Sequence, residues 1–181
     1  MKVTKTALPG LLLLEPHVFE DERGYFVETY NARTFREATD IDCLFVQDNC
    51  SRSRRGVLRG LHYQIVHPQA KLIRCIAGEV LEVAVDLRRS SRFFGRWTSF
   101  LLSPEKYRMA WIPAGFGHGF VVRSREAEIN YKVSDFYAPQ YERCIAWNDP
   151  DLAIDWQLDE PPVLSAKDSR GLRFCDAEVY D

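Results

Sequence analysis

The sequence predicts an all-β protein of jelly-roll type, two antiparallel sheets around an interior, with a few short peripheral helices. Three observations carry this. Short runs rich in β-branched and aromatic residues recur along the chain. Gly24, Gly60, Gly78, Gly95, Pro104, Pro113 and Gly115 punctuate them closely. Helical periodicity is scarce. Close spacing of this kind marks a sandwich or barrel, and a jelly roll can hold a ligand between its sheets.

In chain order, "RGYFVETY" (23–30) is the first such run. "NARTFREAT" (31–39) is the one convincing helix, with Asn31 as its N-cap and Phe35 facing inward. "KLIRCIA" (71–77) and "GEVLEVAVDLR" (78–88) follow. In the latter Leu81, Val83, Val85 and Leu87 point one way, and Glu82, Ala84 and Asp86 the other. "RWTSFLL" (96–102), "RMAWIP" (108–113), "HGFVVRS" (118–124) and "AEINYKVS" (127–134) complete the strand-like runs. A second short helix is expected to follow "SAKD" near the C-terminus. No repeat, low-complexity tract or linker interrupts residues 1–181, which read as a single domain, long enough to bury about 70% of its unfolded surface.

Composition narrows the function classes. Hydrophobic content of 46% and charged content of 28% describe a globular chain, not a disordered one. A net charge of -2 gives no overall pull toward nucleic acid. The five cysteines are odd in number and form no CxxC pair, which disfavours a disulfide framework or a zinc ribbon and favours a reducing compartment. Lys2 and Lys5 ahead of "LLLL" (11–14) imitate a signal peptide, but Pro9 and Gly10 interrupt it and no small-residue cleavage site follows. A spanning helix needs about 20 apolar residues, and the sequence has no such run. The expected location is cytoplasmic, with neither membrane nor nucleic acid as partner.

The chemistry centres on "GVLRGLHYQ" (56–64), where His62 follows Arg52, Arg54, Arg55 and Arg59. A lone strand histidine is more often structural than functional. As a metal ligand it lacks company. "IPAGFGHGFVV" (112–122) carries the P-x-G-x-x-H pattern of a cupin second motif, ending in His118. The first motif, however, reads His62-Tyr63-Gln64, with no acidic residue before Lys71. Two imidazoles without carboxylate or thiolate make a thin ligand set for Zn or Fe, so no metal cofactor is expected. The arginines suit phosphate oxygens, and a small phosphorylated ligand fits the overall charge better than a polyanion. As a proton carrier, His62 has promising neighbours. Arg59 and His62 flank Gly60, which would let a ligand approach the backbone. Lys71 could stabilise an oxyanion, and Asp168 in "LSAKD" could fix the imidazole tautomer.

Several ordered segments tip the balance: "FEDERGYFVETYN", "FVQDNCSRSRRGVLRGLHYQ", "QAKLIRCIAGEVLEVAVDLRRSSRFFGRW", "WIPAGFGHGFVV", "YKVSDFYAPQYE", "WNDPDLAIDW" and "LSAKD". Together they resemble the dTDP-4-dehydrorhamnose 3,5-epimerase family, a cofactor-free branch of the cupins, almost end to end. The resemblance implies a cupin-type jelly-roll homodimer. It would invert C3 and C5 of dTDP-4-dehydro-6-deoxy-D-glucose, through enolates, to give dTDP-4-dehydro-L-rhamnose. It also implies the roles: His62 as base with Asp168 as its partner, Tyr131 as acid on the far face, and Lys71 at the C4 oxygen. Arg23 and Arg59 would contact the diphosphate, and Glu28, Gln47 and Asn49 would line the site. His118, Glu142 and Lys167 match other substrate-binding positions, and Tyr137 the aromatic that stacks on thymine. His17 and His67 match no motif and read as surface residues. Two alternatives stay open: a mono-epimerase acting at C3 or C5 alone, and a non-catalytic nucleotide-sugar-binding cupin. The second would keep Arg23, Arg59 and Tyr137 without needing His62, Asp168 and Tyr131. Long apolar strands such as "GEVLEVAVDL" are candidates for a dimer interface.

Overall fold

The computed structural model describes residues 1–181. Its thirteen strands are β1 (Lys2–Lys5), β2 (Leu12–Glu15), β3 (Val18–Asp21), β4 (Gly24–Val27), β5 (Gln47–Arg54), β6 (Leu58–Gln64), β7 (Lys71–Ala77), β8 (Val80–Asp86), β9 (Trp97–Leu102), β10 (Met109–Ile112), β11 (Phe116–Val122), β12 (Glu126–Val133) and β13 (Glu142–Cys144). A six-stranded sheet runs β1-β2-β10-β7-β12-β5 and a five-stranded sheet runs β13-β6-β11-β8-β9, while β3 and β4 form a separate hairpin. Neighbouring strands pair antiparallel throughout. This is the jelly-roll sandwich expected from the sequence.

Three apolar layers hold it together. Between the sheets, Ile73, Cys75, Ala110, Ile112 and Ile129 of the larger sheet meet Val80, Ala84, Phe100, Leu102, Phe116, Phe120 and Val122 of the smaller one. The alternation read in β8 is real: Val80 and Ala84 enter this layer, while Leu81, Val83, Val85 and Leu87 enter another on the opposite face. That outer layer is covered by the chain beyond β13, which packs Ile145, Leu152, Trp156 and Ala177 onto the five-stranded sheet. Every residue of β8 is therefore buried within its own chain. The expectation that this strand offers a dimer interface is corrected: both of its faces are already occupied.

The third layer lies outside the six-stranded sheet. There helix α1 (Ala32–Thr39) drops Phe35 against Leu12, Leu14, Leu72, Met109 and Trp111. Asn31 caps the helix as expected, its side chain accepting from the Arg33 and Thr34 N–H groups. The helix expected to follow "SAKD" is reduced to a 3-10 turn, Asp168–Arg170.

β5 was legible only as a basic run, and the structure explains why. Arg52 and Arg54 alternate outward while Gln47, Asn49 and Ser51 face the interior. β11 begins two residues earlier than its apolar run suggests, at Phe116. Its Gly117 and Gly119 are weak strand formers, yet the space admits nothing larger. A Cβ on Gly117 would lie 2.9 Å from Leu87, and one on Gly119 2.7 Å from the Arg59 carbonyl.

Candidate active site

Where the two sheets part, a cavity of ≈ 330 Å³ opens, a size suited to a small organic ligand. Its walls come from different sheets. β6, β8 and β11 supply Arg59, His62, Glu82 and His118, while β5, β7 and β12 supply Gln47, Asn49, Lys71 and Tyr131. Tyr137, Glu142 and Lys167 close the rim.

His62 stands on β6 with its Nε2 2.6 Å from Asp168 Oδ1. Asp168 is only 3% exposed. Its Oδ1 also accepts from the Gly60 N–H at 3.2 Å, and its Oδ2 from the Ser165 hydroxyl at 2.6 Å. Burial works against its ionisation, but the hydrogen bonds from His62 and Ser165 outweigh that and hold the carboxyl down at about 2. A carboxylate fixed in this way takes the Nε2–H of a neutral imidazole and leaves the lone pair on Nδ1, the arrangement a general base needs.

A second imidazole–carboxylate pair lies beside the first. His118 is the register partner of His62 across β6 and β11, and its Nδ1 lies 2.7 Å from Glu82 Oε1. Glu82 is fully buried and its Oε2 has no hydrogen-bond partner. Burial pushes the Glu82 carboxyl up, opposed by Lys71. Burial holds His118 well below the usual imidazole range, with the charges of Lys71 and His62 adding to the effect. Lys71, buried at the start of β7, is pushed down by burial to about 8, with Glu82 and Glu142 opposing. At neutral pH the ammonium still predominates, a cation held in the cavity wall.

Tyr131 faces this group from the other sheet. Burial raises its phenol above the ordinary value, Arg59 opposing, so it stays protonated at neutral pH. At the rim Glu142 accepts from the Tyr137 hydroxyl at 3.0 Å and from Lys167 Nζ at 2.8 Å. Gln47 links inward to Asn49 at 2.8 Å and outward to the Tyr137 N–H at 3.1 Å. Tyr137 is 51% exposed and lies beyond the end of β12. It is an exposed rim aromatic, not a core one.

Eleven of the thirteen residues singled out in the sequence are thus brought together; Arg23 and Glu28 are not. Arg23 sits at the exposed β3–β4 turn, paired with Asp21, and Glu28 accepts from Asn31 and Thr34 at the start of α1. Among the arginines ahead of His62, only Arg59 lines the cavity. Arg52 pairs with Glu126 on the outer face, and Arg54 and Arg55 are exposed. Gly60 also has a different reason from the one expected. A Cβ there would lie 2.5 Å from Gly119 Cα, so the close neighbour is β11 backbone and not a ligand. His17 and His67 are exposed, as read.

Sequence reasoning missed Glu82 and Ser165. Glu82 did leave a signal, an acid set between Leu81 and Val83 in a strand that is apolar up to its last residue, Asp86. Ser165 left none that separates it from an ordinary loop serine.

Comparison with known proteins identifies the family. The family model described as dTDP-4-dehydrorhamnose 3,5-epimerase matches residues 5–176. The dTDP-4-dehydrorhamnose 3,5-epimerase of Pseudomonas aeruginosa is 58% identical over 180 residues, covering 99% of each chain. The crystal structure of the Legionella pneumophila dTDP-6-deoxy-D-glucose-3,5-epimerase in complex with dTDP-4-keto-L-rhamnose superposes with a TM-score of 0.95 at 46% identity, covering 98% of this chain and 94% of that one. ChmJ, a 3'-monoepimerase from Streptomyces bikiniensis in complex with dTDP-quinovose, gives 0.88 at 35% identity, covering 94% and 86%. With the family model matching residues 5–176, a 58% identical relative covering 99% of both chains and the fold shared at a TM-score of 0.95, the chain belongs to the dTDP-4-dehydrorhamnose 3,5-epimerase family.

Proposed function

We propose that this isomerase converts dTDP-4-dehydro-6-deoxy-D-glucose to dTDP-4-dehydro-L-rhamnose by inverting C3 and C5 in turn, with no metal or cofactor. One observation carries the reading: an imidazole held by a buried carboxylate and a protonated phenol come from opposite sheets into one cavity.

The C4 ketone acidifies the hydrogens on C3 and C5. His62 takes the proton from one face of the ring, and the electron pair moves to the C4 oxygen. Lys71 stabilises that enolate. Tyr131 returns a proton to the opposite face of the same carbon, completing the inversion. Imidazolium and phenolate then exchange protons with water before the second carbon reacts. Arg59 would hold the diphosphate, with Tyr137 stacked on the base and Gln47, Asn49, His118, Glu142 and Lys167 positioning the rest.

Arg23 and Glu28 fit this function only in an assembly. The β3–β4 hairpin exposes Phe19 (57%), Tyr25 (60%) and Phe26 (67%) around Arg23. An apolar, twofold-related contact of this hairpin with a second copy would cover these rings and carry Arg23 to the partner's diphosphate. The active species is accordingly a homodimer. No helix is long and apolar enough to cross a membrane. Five free cysteines support a reducing, cytoplasmic setting.

The likeness to a 3'-monoepimerase supports a second reading, inversion of one carbon only. Incubation with the 4-keto substrate in D2O separates the two. Deuterium at both C3 and C5 with L-rhamno product is the expected result. Label at one carbon alone would establish the mono-epimerase, and label at neither a non-catalytic binding protein.

A further inference from the structure

We propose that His62, Cys144 and Asp168 form an inhibitory site for a thiophilic divalent cation, Zn2+ foremost, which captures the base. One ligand atom from each of the three lies within 4.8 Å of the others. Strand pairing puts Cys144 directly opposite His62, on β13 and β6, and the turn at Asp168 brings in the carboxylate. Thiolate, imidazole and carboxylate are the three donor types zinc prefers. The metal pattern sought in the sequence ran through His62 and His118 and lacked both other donors. The structure supplies them to His62 from strands and turns far away in sequence, and leaves His118 tied to Glu82.

The three donors lie within reach of a tetrahedral site but are not yet arranged as one. With bonds of about 2.0 Å to N and O and 2.3 Å to S, neighbouring donors stand roughly 3.3–3.6 Å apart. The 2.6 Å His62–Asp168 contact must open and Cys144 must close in, both by side-chain rotation. Cys144 is free to do so, since its one polar contact is a long 3.7 Å approach to the Ile145 carbonyl. Of the three ligands only His62 lines the cavity, so the metal would sit behind the imidazole, on its Asp168 side, with the fourth position left to water. Charge balances locally: one thiolate and one carboxylate neutralise the cation, which offsets part of the cost of burying it.

The proton ledger gives the consequence. On binding, the Cys144 thiol releases one proton to solvent as its sulfur bonds the metal. A neutral imidazole has a single ring lone pair, and the metal takes it. No proton acceptor then remains at His62, whichever nitrogen binds. The loss of turnover rests on the assignment of His62 as base; the binding itself does not.

The test uses the full chain with Zn2+ and Co2+ as probes. Zn2+ should inhibit epimerisation and a chelator should restore it completely. Cys144→Ala and Cys144→Ser should turn over normally without metal, yet need at least about tenfold more Zn2+ for half inhibition, since even outer partners of a metal site are worth that much. Co2+ should give a thiolate charge-transfer band in the near ultraviolet with the wild type and not with Cys144→Ala. A cobalt–thiolate band in a protein that proves unable to epimerise would uphold the site and refute the proposed function alone. Equal zinc sensitivity of wild type and both variants, or no Cys144-dependent cobalt band, would overturn the site.

Discussion

His62 Nε2 and Asp168 Oδ1 are 2.6 Å apart, although 106 residues separate them in the chain. Asp168→Asn keeps the shape but can offer its NH2 to the imidazole, favouring the tautomer with its lone pair turned away from substrate. The expected loss in turnover is about 10²–10⁴-fold, the usual worth of a positioned base. Steady-state kinetics, with circular dichroism to confirm folding, measures it.

Tyr131→Phe should separate the two half-reactions. Removing the phenol leaves His62 and Lys71 to form the enolate, so deuterium still enters from D2O. Inversion should fall steeply, because the proton returns from the face it left. NMR of the recovered sugar reads label and configuration together; inversion at the wild-type rate would remove Tyr131 from the acid's role.

The acid limb of stability follows from Asp168. Its folded-state value of about 2 lies below the ordinary 3.8. The stabilisation is therefore present above pH 4 and is lost as pH falls from there toward 2. It amounts to about 2 kcal/mol. Urea midpoints between pH 5 and pH 2.5 should converge for wild type and Asp168→Asn as the acid end is reached.

The alkaline limb of activity follows from Lys71. Its folded-state value of about 8 is depressed by burial, so the charge that stabilises the enolate disappears as pH rises through 8. kcat should decline there. Lys71→Gln should lower kcat throughout and abolish that decline, which a pH–rate profile of both proteins would show.

Arg23 and His62 sit on the same chain but are proposed to act in different sites. Mixed Arg23→Ala and His62→Ala subunits should therefore complement. In a hybrid dimer one site has both residues intact, so a random mixture should recover up to about a quarter of wild-type activity. Mixing after mild dissociation and assaying against each parent tests this; no recovery would place Arg23 outside the partner's site.

Much of this protein was legible in its sequence where local pattern and burial coincide. β7 was read residue for residue because "KLIRCIA" is bounded by a loop and a glycine and is apolar enough to stand out. α1 was legible because its cap and its single buried Phe35 are encoded within one helical stretch. β5 was not, since its outward arginines mask an inward polar face that has meaning only once the cavity exists. Glu82 shows the same limit. A buried acid within an apolar strand is visible, but His118 as its partner follows from the register of β8 and β11, which propensity does not encode. Gly60 was noticed for the wrong neighbour, because the close pass of Gly119 is a property of two strands and not of one.

The segment after β13 both seals the outer face of the five-stranded sheet and delivers Asp168. During synthesis every wall strand of the cavity leaves the ribosome before that carboxylate does. A nascent or proteolytically shortened chain ending at Cys144, the last residue of β13, would own the wall strands and the imidazole, yet lack the group that aims it. Such a fragment would also bare Leu58, Leu81, Val83 and Val121 to chaperones and proteases. Half-made copies would in this way be inert toward the keto-sugar and marked for disposal by the same missing piece.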